Sequence, residues 1–481
     1  MTAGADIAMI DAVQLGAAIQ ARQVSCVEVM EAYLAQIERL NPAHNTIVAL
    51  QDRELLLRQA RERDALLSRG ESMGPLHGFP LAVKDLQATR GVVTAQGSPI
   101  FRDCVPDADS LVVERLRGAG AIIIGKTNTP EFGLGSHTYN PVYGVTRNAW
   151  DRARSAGGSS GGAAVALALR MAPLADGSDY GGSLRNPAGW NNVLGFRPSI
   201  GRVPNTGRED WLPSMTVNGP MARNVRDLSL LLSVMAGFDA RAPLSLDGDG
   251  SEFRDVRQRD PRGLRIGWLG DFGGAAPCEP GVLEVCETAL KRFEDLGCVV
   301  EPALPDYSPD AAWAAFKTIR AWQAGGGLLE HYRDPARLAL MKPEAVFEVE
   351  TGLKLTAYDI TAASLVRSEW SQAVRRLLTR YDVLVAPTAQ VFPFDAGETW
   401  PREIAGQTMD TYHAWMKGVC LVSLSGCPAL AVPAGFGAAG LPMGIQIIAP
   451  VHRELACLEL ALAYERAADW ESWLPPALAA S

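Results

Sequence analysis

Apolar side chains first fall into helical register behind Ser25. With Glu28 this serine makes a capping-box pattern, and Met30, Tyr33, Leu34, Ile37 and Leu40 recur three or four positions apart until Asn41 and Pro42 interrupt the run. A second helical stretch covers about 54–67 and stops near Gly70. The segment 79–85, Phe-Pro-Leu-Ala-Val-Lys-Asp, has the apolar run and charged end of a short buried strand, which puts Lys84 at a strand terminus. A helix over 111–118, a strand over 121–124, a Gly/Ser loop at 155–162 and a helix over 163–171 follow. Strand and helix alternate, so the pattern predicts an α/β fold.

From about 205 to 345 the periodicity weakens, with a polar stretch at 247–262, a strand at 264–268 and a helix at 281–296. Apolar runs at 382–387, 428–433 and 443–448 then read as buried strands, and a helix covers 454–468. The core therefore returns after an excursion.

Length and charge narrow the class. The 481 residues are 47% hydrophobic, enough for a large core, and the 45 Lys+Arg against 54 Asp+Glu leave a net charge of −9 with no basic block. Such a surface does not favour a phosphate backbone, so nucleic acid is not expected as a partner. The eight cysteines are scattered without Cys-x-x-Cys spacing or paired histidines, and neither a metal site nor a disulfide framework is indicated. Residues 1–14 lack a signal-peptide pattern and no apolar run is long enough to span a membrane, so a soluble protein of a reducing cytoplasm is expected.

Two motifs compete for the chemistry. Gly120-Ala-Ile-Ile-Ile-Gly-Lys-Thr127 satisfies the phosphate-loop pattern, but a β-branched run belongs in a sheet ladder rather than in a loop of inward-facing amides. The stronger signal is a pair of glycine-flanked serine turns, Ser155-Ala-Gly-Gly-Ser-Ser-Gly-Gly162 and Asp176-Gly-Ser-Asp-Tyr-Gly-Gly-Ser-Leu-Arg-Asn-Pro187, which place Ser159 and Ser183 24 residues apart. One such turn reads as a surface loop. Two of them, with a buried-looking lysine upstream, describe a catalytic unit.

These motifs, from Gly78 to Pro204, resemble the amidase signature family of Ser-Ser-Lys amide hydrolases. Gly125-Lys-Thr-Asn-Thr-Pro-Glu131, Gly144-Val-Thr-Arg-Asn-Ala-Trp150 and Gly195-Phe-Arg-Pro-Ser-Ile-Gly-Arg-Val-Pro204 resemble family landmarks in order, and 428–433 and 440–448 extend the likeness. The resemblance implies an α/β/α sandwich, a large mixed β-sheet covered by helices on both faces. It implies one amidase domain over 1–481, with the signature core at 78–204, a variable substrate-side insertion at 235–380, and the core resuming to 470.

It also implies roles. Ser183 is the nucleophile, Ser159 follows a cis peptide after Gly158 and passes protons, and Lys84 is the base. The backbone N–H groups of Tyr180, Gly181, Gly182 and Ser183 form an oxyanion hole, because a chain poor in Cβ atoms can aim successive amides at one point. Ser160, Asp179 and Arg185 support the turns, with Arg185 an alternative clamp for a substrate carboxylate. Gly133, Ser136, Tyr180 and Trp190 are expected to touch substrate. As a base, Lys84 must be held near neutrality by burial among Phe79, Leu81 and Val83. On its own, Lys84 reads first as a strand-end lysine paired with Asp85, a reading that the two serine motifs reverse.

The six histidines show no ligand or triad spacing, and His137 reads as part of a polar surface loop. Ser178, Tyr180 and Trp190-Asn191-Asn192 depart from common family residues, which leaves the chemistry intact but not the substrate identity. Trp and Tyr side chains between 311 and 415 could line an apolar pocket or fill the core. The reading is a hydrolase of small amides, esters or carbamates with no cofactor, compatible with a homodimer. The alternatives are the glutaminase (A) component of a glutamyl-tRNA amidotransferase, a nucleotide-binding protein built on 120–127, and an inactive scaffold.

Overall fold

The computed structural model describes residues 4–207, 210–212 and 214–479. Its largest element is an eight-stranded mixed sheet in the order Val299–Pro302, Arg265–Trp268, Val383–Pro387, Pro442–Ile448, Ala429–Phe436, Leu194–Arg197, Val217–Ala222 and Ala175–Asp179. The first three strands run parallel to one another and the remaining neighbours are antiparallel. Side chains alternate across the sheet, and the helices exploit this. Gly444 turns toward the Arg185–Asn191 helix, so close that an added Cβ would lie 2.8 Å from the Gly189 Cα. Gly435, on the neighbouring strand and facing oppositely, meets Val285 of the Val282–Asp295 helix. The sheet is thus covered on both faces, as the α/β/α expectation requires.

A second sheet pairs Ile47–Val48, Ile122–Thr127 and Pro80–Lys84, the last two in parallel. The Lys84 N–H donates to Asp176 Oδ1 at 2.9 Å, joining this sheet to the edge strand Ala175–Asp179. Both serine turns and the lysine converge at that junction. The phosphate-loop lookalike lies in the buried strand Ile122–Thr127, and Lys126 Nζ donates to Gln87 O and Thr89 Oγ1. Its backbone is spent on the ladder, which leaves no cradle for a phosphate.

Two boundaries differ from the sequence pattern. The Ser25 helix runs through Pro42 to His44, after which Asn45 takes a left-handed conformation and the Asn41 side chain accepts from Thr46 and Ile47 N–H. The helix after the first serine turn is Gly161–Ala168, starting inside the glycines. Close packing explains this, since a Cβ at Gly162 would sit 2.4 Å from the Asn128 N. Residues 235–380 divide in two: strands at 265–268 and 299–302 extend the main sheet, while the Pro309–Arg333 helix forms a wall beside the serine turns.

Candidate active site

Lys84 is fully buried at the end of its strand, with Phe79, Leu81 and Val83 buried around it. Its Nζ lies 2.7 Å from Ser159 Oγ, 2.9 Å from Ser160 Oγ and 3.0 Å from Ser178 Oγ. Burial pulls its pKa down to about 7, against the opposing charges of Asp176 and Asp179. A neutral amine has two N–H donors and one lone pair, so three hydroxyls satisfy it completely. The strand-end pairing with Asp85 does not occur. Asp85 accepts from the Ala95 and Gly97 N–H groups and faces Lys126.

Ser159 follows a cis Gly158–Ser159 peptide. Ser136 Oγ donates to the Gly158 carbonyl, and an added Cβ at Gly158 would lie 2.9 Å from the His137 N. Ser136 therefore holds the first serine turn from behind and does not line the cavity in front of it. His137 is buried, contrary to the surface-loop expectation. Its ring meets Ser155 Oγ at 2.7 Å and Ala396 O at 3.2 Å, and burial lowers its pKa to about 4, so it is a neutral brace. Polar neighbours in the sequence disguised a side chain whose partners come from distant residues.

The second turn is built around Asp179. Its carboxylate accepts from the Gly182 N–H at 2.8 Å, the Leu184 N–H at 3.1 Å and the Arg185 guanidinium at two points of 3.0 Å each, while Arg197 adds a contact at 3.3 Å. Burial alone would raise the Asp179 pKa, but the two arginines outweigh it and hold the group well below the usual carboxylate range. Arg185 is itself buried, its Nη1 donates to Gln446 Oε1 and Val419 O and its Nη2 also donates to Ser423 Oγ, so it is a brace with no face toward a substrate carboxylate. The Ser183 carbonyl accepts from the Ser160 N–H at 3.1 Å, locking the two serine turns together. The Gly182 N–H is spent on Asp179, which removes it from the expected oxyanion set and leaves Tyr180, Gly181 and Ser183 as candidate donors.

This buried clamp supports a stability prediction. Asp179→Asn is expected to lower unfolding free energy by about 3 kcal/mol or more, because it leaves two buried guanidinium groups uncompensated. Urea unfolding would measure this, and a change under about 1 kcal/mol would contradict the assignment.

Ser159 and Ser183 open on a cavity of about 310 Å³ that Gly133 and Tyr180 also line. Trp190 does not reach it. The indole is fully buried, donates to Val391 O at 3.0 Å and stacks on Trp415. The Trp side chains between 311 and 415 do not line this cavity either; its far wall is Arg320, Gln323, Ala324, Gly327 and Leu328 of the Pro309–Arg333 helix, with Phe132 beside Gly133. None of these wall residues lies in a recognisable motif, and the weak periodicity over 205–345 gave no sign of the helix that carries most of them. Two larger cavities, of about 540 and 380 Å³, touch neither Lys84 nor the serines.

Comparison with known proteins gives the family and the fold. The amidase family model matches residues 28–458. An acylamidase from Rhodococcus erythropolis is 34% identical over 97% of this chain and 97% of its own. The A component of a glutamyl-tRNA(Gln) amidotransferase from Methylococcus capsulatus is also 34% identical, over 97% of this chain and 98% of its own. The crystal structure of a bacterial aryl acylamidase, an amidase signature enzyme, superposes with a TM-score of 0.89 at 28% identity, covering 96% of this chain and 97% of that one.

Proposed function

The chain belongs to the amidase signature family and is an amide C–N hydrolase, and from that premise we propose that it cleaves small, uncharged, fairly apolar amides through a Ser183 acyl-enzyme. The observation that carries the reading is the neutral-leaning Lys84 within hydrogen-bond reach of Ser159, beside a turn that presents Ser183 to a cavity. Lys84 accepts the Ser159 proton as Ser159 accepts that of Ser183, and Ser183 Oγ bonds to the carbonyl carbon. Backbone amides near Tyr180, Gly181 and Ser183 stabilise the oxyanion. As the C–N bond breaks, the proton returns through Ser159 to the leaving nitrogen. Water then repeats the sequence against the ester and frees Ser183.

The glutaminase role is the second reading, and the equal identity to both kinds of relative does not divide the two. The cavity favours the first. Apolar Leu86, Phe132, Leu134 and Leu328 line it together with the uncharged polar Gln96, Ser214, Thr216 and Gln323, and its arginine is already matched by a buried glutamate. A free amino acid would bring an α-carboxylate and an α-ammonium that need dedicated partners. We read 1–481 as one amidase domain whose 235–380 segment shapes the substrate side, acting in the cytoplasm without a cofactor. Among the described residues no helix is long and apolar enough to cross a membrane.

The test is a panel of anilides, primary amides and aryl esters offered to the purified chain, with ammonia release from glutamine measured in parallel. Turnover of an anilide or aryl amide with little glutamine hydrolysis is expected. If the panel were inert and glutamine were split only after the other amidotransferase components and tRNA were added, the glutaminase reading would replace this one.

A further inference from the structure

The charged part of the cavity wall is a linked group on three elements. Arg320, on the Pro309–Arg333 helix, lines the cavity and lies with its guanidinium 4.8 Å from the centre of the Tyr180 ring, whose hydroxyl donates to Gln323 Oε1 at 2.9 Å. Behind it, Arg320 Nε donates to Glu348 Oε1 at 2.9 Å, and Nε and Nη2 reach the Tyr412 hydroxyl at 3.2 and 3.0 Å. Tyr412 in turn donates to the same Glu348 oxygen. Glu348 is 1% exposed and absent from the cavity lining, so it meets the cavity only through Arg320.

Nearby charges do not replace that role. Lys342 is engaged with the Leu134 carbonyl and lies 3.9 Å from Glu344, while His413, 3.8 Å from Glu348, is kept neutral by burial. Arg367 approaches Tyr180 from the Ala357–Leu377 helix but does not line the cavity.

We propose that Glu348, by neutralising Arg320 from behind, makes the enzyme select uncharged substrates over those carrying a carboxylate in this cavity. The inference rests on the amidase reading above and deepens it. A lone arginine in a half-enclosed cavity of mixed apolar and hydroxyl- or amide-bearing side chains would be a strong carboxylate site, because its planar fork matches the anion and no second cation is needed to hold it. An arginine already matched to a buried carboxylate offers an anion little net attraction, and the second carboxylate would meet the first across one guanidinium. Glu348 is thus a positioning residue for charge selection and Arg320 the group that touches the ligand.

The test compares succinanilate with its methyl ester, two amides that differ in the charge at one end. Binding is measured by calorimetry in the Ser183→Ala background, which needs no turnover, so a failure of the proposed hydrolysis and a failure of this inference are separable. The protein with Glu348 intact is expected to bind the ester more tightly than the carboxylate. Adding Glu348→Gln, which keeps a hydrogen-bonding amide beside Tyr412, is expected to tighten carboxylate binding about tenfold or more while the ester changes by less than about twofold. In the turnover-competent chain the same change should appear in KM and not in kcat. A merely structural role would move both ligands together. If Glu348→Gln does not fold, Glu348→Met gives the same reading with a side chain of similar length. An ester-to-carboxylate ratio unchanged in a folded variant, or a preference for the carboxylate with Glu348 intact, overturns the proposal.

Discussion

Ser183→Ala is expected to abolish amide hydrolysis while leaving a folded protein, with kcat reduced by about 10⁴-fold to 10⁶-fold, the range in which loss of a covalent nucleophile falls. The fold should survive because the turn is held by its backbone and by Asp179. The Ser183 carbonyl is fixed by the Ser160 N–H, and neither that bond nor the Asp179 clamp uses the Ser183 hydroxyl. A fluorophosphonate probe should label the intact chain at Ser183 and fail to label the variant. Ser159 is the discriminating control, since it opens on the same cavity and lies within hydrogen-bond reach of Lys84. Labelling that persisted in Ser183→Ala and vanished in Ser159→Ala would reverse the two roles.

The sequence exposes that centre because its chemistry is written in contiguous stretches. Lys84 ends an apolar strand and each serine sits in a glycine-flanked turn of a few residues, so local pattern brings the two turns to notice and the family resemblance joins the lysine to them. What lies opposite them is legible only after folding. Arg320 and Gln323 sit one turn apart on an ordinary helix, and nothing local marks them as facing Tyr180, more than a hundred residues earlier.

The misplacements have the same origin. Trp190 is seven residues from Ser183, yet the intervening Arg185–Asn191 helix turns its indole toward Trp415 and the core. Closeness along a helix says little about direction. Gly182 lacks the Cβ that would crowd an oxyanion donor, but which acceptor captures its N–H depends on where Asp179 points. The eight-stranded sheet shows the complementary case. Its central strands are continuous apolar runs and legible as such, whereas Val299–Pro302, half-exposed at the parallel edge, carries little pattern of its own.

The second large effect is expected at Lys84, and its sign follows from the cause of the pKa shift. Burial holds the amine at about 7, and in the proposed mechanism its neutral form is the base. Activity should therefore rise with pH through an acidic limb near 7 and level off above it. Lys84→Met should remove the limb and lower kcat by about 10³-fold or more on amides, with a smaller loss on aryl esters, whose leaving oxygen needs less help from a proton. Stability follows the same sign. The unfolded chain regains the ordinary lysine value near 10.5, so between about 7 and 10.5 the unfolded state binds more protons than the folded one, and stability contributed at this position rises with pH across that window. Below about 7 the full cost of charging a buried amine remains. Lys84→Met abolishes that dependence, so the difference in unfolding free energy between the two proteins should shift in favour of the lysine as pH rises from 7 to 10. Urea titrations of both proteins at several pH values would measure it. A difference that stays flat with pH, together with an acidic limb that survives in the variant, would mean that another group is the base and that Lys84 is charged in the folded protein.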